Sequence, residues 1–301
     1  MGILKTVEDR IGGTPLLDLT GLAPDFGGRI LGKAELWNPS GSAKDRAALA
    51  MLRDGEARGL LGPGATVIEA TSGNLGISLA LLCGLRGLRC VIVIPRGMSP
   101  QRQALMRAYG AEVLLTPAEN GMAGAVEAAR ALAERTPGSF LPDQFSNPAN
   151  PGAHYRTTGP EIWADTEGSV DVLVAGVGTG GTLTGAGRFL RQKNPALETV
   201  AVEPEASPLL SQGWAGPHGI QGIGPNFVPG TLDRSLVDRV VTVTEDEAAA
   251  AAGLLARRLG ILAGISAGAA VHAALTLARL PENRGKNLVT ILPDTGCRYL
   301  E

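Results

Sequence analysis

Apolar residues in this chain fall into two alternating patterns. Short runs rich in Val and Ile occupy residues 66–69, 90–94, 112–115, 172–175, 199–202 and 288–292, and their nearly unbroken apolar character predicts strands buried on both faces. Longer Ala- and Leu-rich stretches of helical period lie around them at 45–58, 74–85, 100–109, 122–135, 183–193, 245–258 and 267–278. Strand alternating with helix is the signature of βαβ units. The pattern therefore predicts an α/β fold of two lobes, each a mainly parallel twisted sheet flanked by helices. Residues 142–151 carry Pro142, Pro148 and Pro151 among polar side chains, too broken for a helix or sheet interior, and read as the crossing between lobes. A boundary near Pro148 gives lobes 1–148 and 149–301.

At 301 residues each lobe is long enough to bury its own core. The 27 Lys and Arg against 29 Asp and Glu leave a net charge of −2, and the basic residues are scattered rather than gathered into a stripe, which argues against nucleic acid as a partner. No run approaches the ~20 apolar residues of a membrane span. Lys5, Glu8, Asp9 and Arg10 precede any apolar segment, so no secretory signal is expected, and three cysteines that suggest no disulfide framework make a reducing cytoplasm the expected location. Cys83, Cys90 and Cys297 lack metal-ligand spacing, and His154, His218 and His272 are dispersed; no metal site is expected. Cys83 and Cys90 sit in apolar contexts and read as packed thiols, Trp163 and Trp214 as packing residues, and the three histidines as structural or surface groups.

Three loops carry candidate chemistry. The first, Asn38 to Arg46, is a small-residue turn opening into a helix, with Ser42 as the expected cap and Lys44 in the first helical turn. An ammonium is disfavoured at the positive end of a helix, and a lysine held toward its neutral form suits Schiff-base chemistry; taken alone, however, Lys44 reads first as a solvated surface lysine. The second, Glu69 to Gly76, follows a strand and places Thr71, Ser72, Gly73 and Asn74 at a helix start, a ready site for a carboxylate or phosphate and also an ordinary set of caps. In the third, Val174 to Thr182, Gly176, Gly178 and Gly181 match the G-x-G-x-x-G dinucleotide fingerprint, with Glu203 near the end of the next strand as the ribose-holding acid; a nicotinamide dehydrogenase is the rival reading. The Thr179-Gly180-Gly181-Thr182 ending suits a terminal monophosphate as well as a pyrophosphate.

Taken together and in this order, the loops resemble the β-family (fold type II) of pyridoxal-phosphate enzymes, the cysteine synthase or O-acetylserine sulfhydrylase group. The resemblance runs almost the whole length, through Ile11 to Leu16, Asn38 to Arg46, Glu69 to Gly76, Asp143 to Pro148, Thr157 to Trp163, Gly176 to Thr182, Gln221 to Gly224, Gly264 to Ala270 and Leu292 to Gly296. It implies a cofactor carried on Lys44, its phenolic oxygen on Asn74, its phosphate on Gly178, Thr179, Gly180, Gly181 and Thr182, and its pyridine nitrogen on Ser266. The substrate carboxylate would lie on Thr71, Ser72, Gly73 and Gln144, with Gly222 in the substrate loop. The implied reaction is β-replacement on an O-activated serine, most simply O-acetyl-L-serine with sulfide giving L-cysteine and acetate, with Lys44 as base and ping-pong kinetics. A homodimer, a serine acetyltransferase C-terminal tail as a partner, and packing of the first ~35 residues on the C-terminal lobe are further family expectations.

The chain departs from the family pattern around the substrate. Leu75 stands where Thr is usual, which removes a hydroxyl expected near the carboxylate; Pro225-Asn226 follow the substrate loop where small residues are usual; and Cys297 replaces an acidic residue. No Arg or Lys lies between Ser207 and Pro229 to pair with the extra anion of O-phosphoserine or thiosulfate, whereas Asn38 to Ala48 and Met98 to Gly110 look more like the thiosulfate-accepting branch. Cyanide, an amine or an amino acid as second nucleophile remains an open alternative.

Overall fold

In the computed structural model, which describes residues 3–71 and 73–300, the strands in chain order are β1 (Leu16–Asp18), β2 (Arg29–Ala34), β3 (Thr66–Ala70), β4 (Arg89–Pro95), β5 (Glu112–Thr116), β6 (Ser139–Phe140), β7 (Val172–Gly176), β8 (Glu198–Pro204), β9 (Arg239–Val243) and β10 (Asn287–Leu292). The α-helices are α1 (Lys44–Ala57), α2 (Asn74–Arg86), α3 (Pro100–Ala108), α4 (Gly121–Glu134), α5 (Ala149–Arg156), α6 (Thr158–Asp165), α7 (Gly181–Lys193), α8 (Leu209–Gln212), α9 (Glu245–Leu259) and α10 (Ile265–Ala278). The fold is α/β in two compact units. One comprises Met1–Ile11 and Lys44–Ala149, the other Gly12–Ala43 and Asn150–Glu301.

The first unit is built on the parallel sheet β5-β4-β3-β6. Alternate residues of β4 serve opposite faces. Cys90, Ile92 and Ile94 pack with Ala47, Met51 and Leu52 of α1 and with Leu75, Ile77 and Leu79 of α2, whereas Val91 and Val93 pack with Ala125 and Ala129 of α4. Burial on both faces is why these strands read as continuous apolar runs.

The second unit holds the six-stranded sheet β1-β2-β10-β7-β8-β9, parallel except for the antiparallel β1–β2 pair. Val172, Val174, Val200 and Val202 face Leu255 of α9 and Val271 and Leu277 of α10; on the other face Leu173, Ala175 and Ala201 meet Ile162 of α6 and Leu183 and Leu190 of α7. α9 begins at a capping box in which the Thr244 hydroxyl accepts the Glu247 N–H and the Glu247 carboxylate accepts the Thr244 N–H.

Two expectations need correction. Residues 142–151 are not wholly irregular, because Ala149–Pro151 form the opening turn of α5, where a proline's missing N–H costs nothing. α1 begins at Lys44 directly after Ala43, a residue without a capping oxygen, while Ser42 lies one residue farther out and pairs with Asp294 in an isolated antiparallel bridge. Among the described residues no helix is long and apolar enough to cross a membrane, and no group of His, Cys, Asp or Glu could hold a metal ion.

The segment before Ile11 is fastened to its unit by one ion cluster. Glu8 lies in a short 3₁₀ turn, Val7–Arg10, and its carboxylate receives Arg86 Nε at 2.6 Å and a terminal Arg86 nitrogen at 2.9 Å; the third Arg86 nitrogen reaches Glu56 at 2.6 Å. Arg86 sits in the last turn of α2, where the helix dipole favours a cation. Hydrogen bonding to this guanidinium holds the Glu8 carboxyl below its ordinary range. A carboxylate with a lowered folded-state pKa contributes stability above its unfolded pKa and loses it as the pH falls through the folded value. Glu8→Gln should therefore lower unfolding free energy by about 1 kcal/mol at neutral pH. Urea midpoints of variant and wild type should converge in acid.

Candidate active site

In the first unit, Lys44 is the first residue of α1 and half-buried, so it is neither a core residue nor a freely solvated one. Thr71, Gly73 and Asn74 occupy the turn from β3 into α2. Here the Thr71 hydroxyl accepts the Gly73 N–H at 3.3 Å, Gly73 caps the helix with no side-chain bond of its own, and the Asn74 carbonyl accepts the Ser78 hydroxyl at 3.1 Å. Ser72 lies outside the described residues. Gln144, buried, follows Asp143 in the loop after β6. The buried carboxylate of Glu69, one residue before the end of β3, accepts the Asp143 N–H at 3.0 Å and also the N–H of Gln144. Burial pushes the Glu69 carboxyl up to about 8. Leu75 is 1 % exposed and packs in the apolar cluster of α1, α2 and β4.

In the second unit the glycine loop connects β7 to α7. A Cβ on Gly178 would lie 2.3 Å from the carbonyl oxygen of Gly222, and one on Gly181 would lie 2.2 Å from Asn150 Oδ1, so neither position admits a side chain without a backbone or core shift. Gly180 caps α7 without a side-chain bond, and the Thr179 hydroxyl accepts the Gly181 N–H at 3.3 Å. The loop is braced from outside. Asn150 donates to the Thr179 hydroxyl at 3.0 Å, Thr231 donates to the Thr179 carbonyl at 2.6 Å, and His154 lies 3.1 Å from the Thr182 hydroxyl and 2.8 Å from that of Thr158. His154 is thus a buried structural residue. Asn150 and Thr231 escaped the sequence reading: Asn150 lies in a stretch that reads as a linker, and Thr231 has no local pattern.

Gly222 packs directly over Ser266, whose Oγ would stand 3.6 Å from a Cβ at position 222. Ser266 is buried in the first turn of α10, which Gly264 caps with no side-chain bond. The Gly224 N–H donates to the Val177 carbonyl at 2.9 Å, tying the substrate loop to the glycine loop. Gly178, Gly222 and Ser266 are therefore neighbours, whereas the exposed Asn226 and Cys297 are solvent-facing residues with no visible share in this packing. Glu203, the acid of the dinucleotide reading, is 2 % exposed, and both its oxygens are engaged by the N–H groups of Leu210 and Ser211 at 2.7 and 3.0 Å, at the start of α8.

Other motif residues prove to be structural. Lys33 in β2 is fully buried, and its ammonium meets Glu161 at 3.0 Å, Asp165 at 3.2 Å and the Thr14 carbonyl at 2.5 Å. The Thr14 hydroxyl donates to Glu35 at 2.7 Å, as does the Asn38 amide at 2.8 Å, and Asn38 Oδ1 accepts the Gly12 N–H at 2.8 Å. This network fixes residues 12–14 and the turn at Asn38. Cys83 and Cys90 are buried together, and their hydrogen bond with burial pushes the Cys90 thiol well up. Trp163 is half-buried beside Gly168, but Trp214 is 50 % exposed, its indole donating only to Gln212 at 3.2 Å, which does not fit a packing role.

Residues 7–294 match the family model described as pyridoxal-phosphate dependent enzyme. The chain belongs to that family. Among the relatives of this pyridoxal-phosphate-dependent enzyme is the cysteine synthase of Staphylococcus aureus (strain N315), 48 % identical over 298 residues, which cover 99 % of this chain and 96 % of the relative. Of the similar solved structures, an O-ureido-L-serine synthase superposes with a TM-score of 0.96 at 46 % identity, covering 100 % of this chain and 94 % of the other. The cysteine synthase of Entamoeba histolytica gives a TM-score of 0.96 at 41 % identity, covering 100 % and 90 %. The family's cofactor is pyridoxal phosphate. The residues present fit it: a loop of glycines and threonines at a helix start suits a phosphate, and a buried neutral hydroxyl at Ser266 suits a pyridine nitrogen.

Because a Cβ at position 178 meets backbone rather than a flexible side chain, Gly178→Ala should destabilise the second unit by about 1–3 kcal/mol. A urea midpoint indistinguishable from wild type would show that the loop has room to spare.

Proposed function

We propose that this chain catalyses replacement of the β-substituent of an O-activated L-serine, with O-acetyl-L-serine and sulfide giving L-cysteine and acetate. The observation that carries this reading is near-full-length identity of 48 % to a cysteine synthase, together with a donor set suited to the family's cofactor. Bound pyridoxal phosphate supplies an electron sink for the negative charge that develops at the substrate Cα. Lys44 would hold the cofactor covalently through its amine; once the substrate's own amino group takes its place and sets it free, the Lys44 amine removes the Cα proton and later returns it. Asn74 binds the cofactor's phenolic oxygen; Gly178, Thr179, Gly180, Gly181 and Thr182 bind its phosphate. Ser266 binds its pyridine nitrogen through a neutral hydroxyl, which, unlike a carboxylate, does not hold that nitrogen protonated. Thr71, Ser72, Gly73 and Gln144 bind the substrate carboxylate, and Gly222 borders the substrate.

The absence of Arg and Lys between Ser207 and Pro229 supports acetylserine over O-phosphoserine or thiosulfate. A second reading, the same chemistry with another nucleophile, is supported by the likeness to an O-ureido-L-serine synthase, more identical in sequence than the Entamoeba cysteine synthase. The lobes 1–148 and 149–301, with the first ~35 residues packed on the C-terminal lobe, a homodimer, docking of a serine acetyltransferase tail and a cytoplasmic location complete the proposal. Assays pairing O-acetyl-L-serine, O-phospho-L-serine and L-serine with sulfide, thiosulfate, cyanide and amines test it: the acetylserine–sulfide pair should give the highest kcat/KM, and Lys44→Ala should lower its kcat by about 10³-fold. A higher value for another pair would transfer the activity to the second reading.

A further inference from the structure

β6 pairs in parallel with β3 for only two residues, Ser139 beside Thr66 and Phe140 beside Val67. Beyond Phe140 the chain leaves the sheet, and the register would bring residue 142 opposite Glu69. There a side chain takes over the work of the strand. The Glu69 carboxylate, 4 % exposed, accepts the Asp143 N–H at 3.0 Å and the Gln144 N–H. Asp143 has φ 49°, in the left-handed region, a conformation that a non-glycine residue holds at a cost and only where its surroundings enforce it. The turn then closes on the Asp143 carbonyl, which accepts the N–H groups of Ser146 at 3.1 Å and Asn147 at 2.9 Å, while the Asn147 amide donates to the Pro142 carbonyl at 2.9 Å. Burying a carboxyl is expensive, and neither the sheet nor the proton transfer assigned to Lys44 has any use for it.

We infer that Glu69 is a positioning residue for Gln144. By accepting two successive backbone N–H groups it holds Asp143 left-handed and fixes the direction in which the Gln144 amide is presented to the carboxylate of the amino-acid substrate. This role rests on the proposed β-replacement reading. It acts on donor binding and leaves the proton transfer at Cα to Lys44, so it separates KM from kcat.

The test uses cofactor-loaded wild type, Glu69→Ala, Glu69→Gln, Gln144→Ala and the Glu69→Ala/Gln144→Ala double variant, with the KM and dissociation constant for O-acetyl-L-serine and the kcat as readouts. Glu69→Ala should raise the KM and the dissociation constant about tenfold and change kcat by less than about threefold. Glu69→Gln, which keeps an acceptor oxygen, should restore most of the binding. The double variant should bind no worse than Gln144→Ala alone, because both changes disable one interaction. Should Glu69→Ala not fold, Glu69→Met, of similar length and without an acceptor, takes its place under the same criteria. Wild-type binding in Glu69→Ala, or penalties that multiply in the double variant, would overturn the role of Glu69 while leaving the proposed function intact. Wild-type enzyme that binds no O-acetyl-L-serine would overturn both.

Discussion

Where a buried parallel strand turns directly into a helix, the first N–H groups of that helix have no carbonyl partner within it. Both units of this protein meet that constraint, at β3 into α2 and at β7 into α7, and in each a candidate site residue helps to meet it. At α2 the Thr71 hydroxyl takes one N–H; at α7 the Thr179 hydroxyl takes another, and Thr179 is itself held by Asn150 and Thr231. The capping residues themselves, Gly73 and Gly180, contribute no side-chain bond. A helix start finished in this way, with small residues and a positive dipole end, favours an anion over a neutral ligand. The phosphate and carboxylate of the proposed chemistry are both anions.

Shape at the glycine loop follows from what surrounds it. Gly178 is pressed by the Gly222 carbonyl and Gly181 by the Asn150 amide, so neither glycine has room for a side chain on that side. The buried Asn150 and Thr231, both hydrogen-bonded to Thr179, hold the loop there, and a separate buried polar network lies at β2. The buried Lys33 ammonium is compensated by the part-exposed carboxylates of Glu161 and Asp165, without which it would be an unpaired buried charge. Glu69 belongs to the same economy in the first unit, where it stands in for missing strand pairing.

Much of this architecture was legible in the sequence, for identifiable reasons. β3, β4, β7, β8 and β10 are covered on both faces by helices and show as apolar runs. β2 went unrecognised because Gly32 and the buried Lys33 interrupt its pattern, β9 because it is a half-exposed edge strand, and β6 because it is two residues long. α5 and α6 were hidden by Pro151 and Pro160, each tolerated near a helix start. Within the candidate site, local loops revealed their own chemistry: Lys44 opens a helix and Gly178 to Thr182 join strand to helix. Invisible were the residues that act across long sequence separations. Asn150, Thr231 and His154 brace the glycine loop, Glu69 reaches Asp143 and Gln144, and Leu75 turns inward to the core. None of these has a periodicity or motif that announces its partner.

The central claim is that Lys44 carries the cofactor covalently. Borohydride reduction of the cofactor-loaded protein, followed by proteolysis and mass analysis of the peptides, tests it most directly. A phosphopyridoxyl group fixed on the peptide containing Lys44 is the predicted result, and its appearance on Lys5, Lys33, Lys193 or Lys286 instead, or on no lysine, would contradict the account.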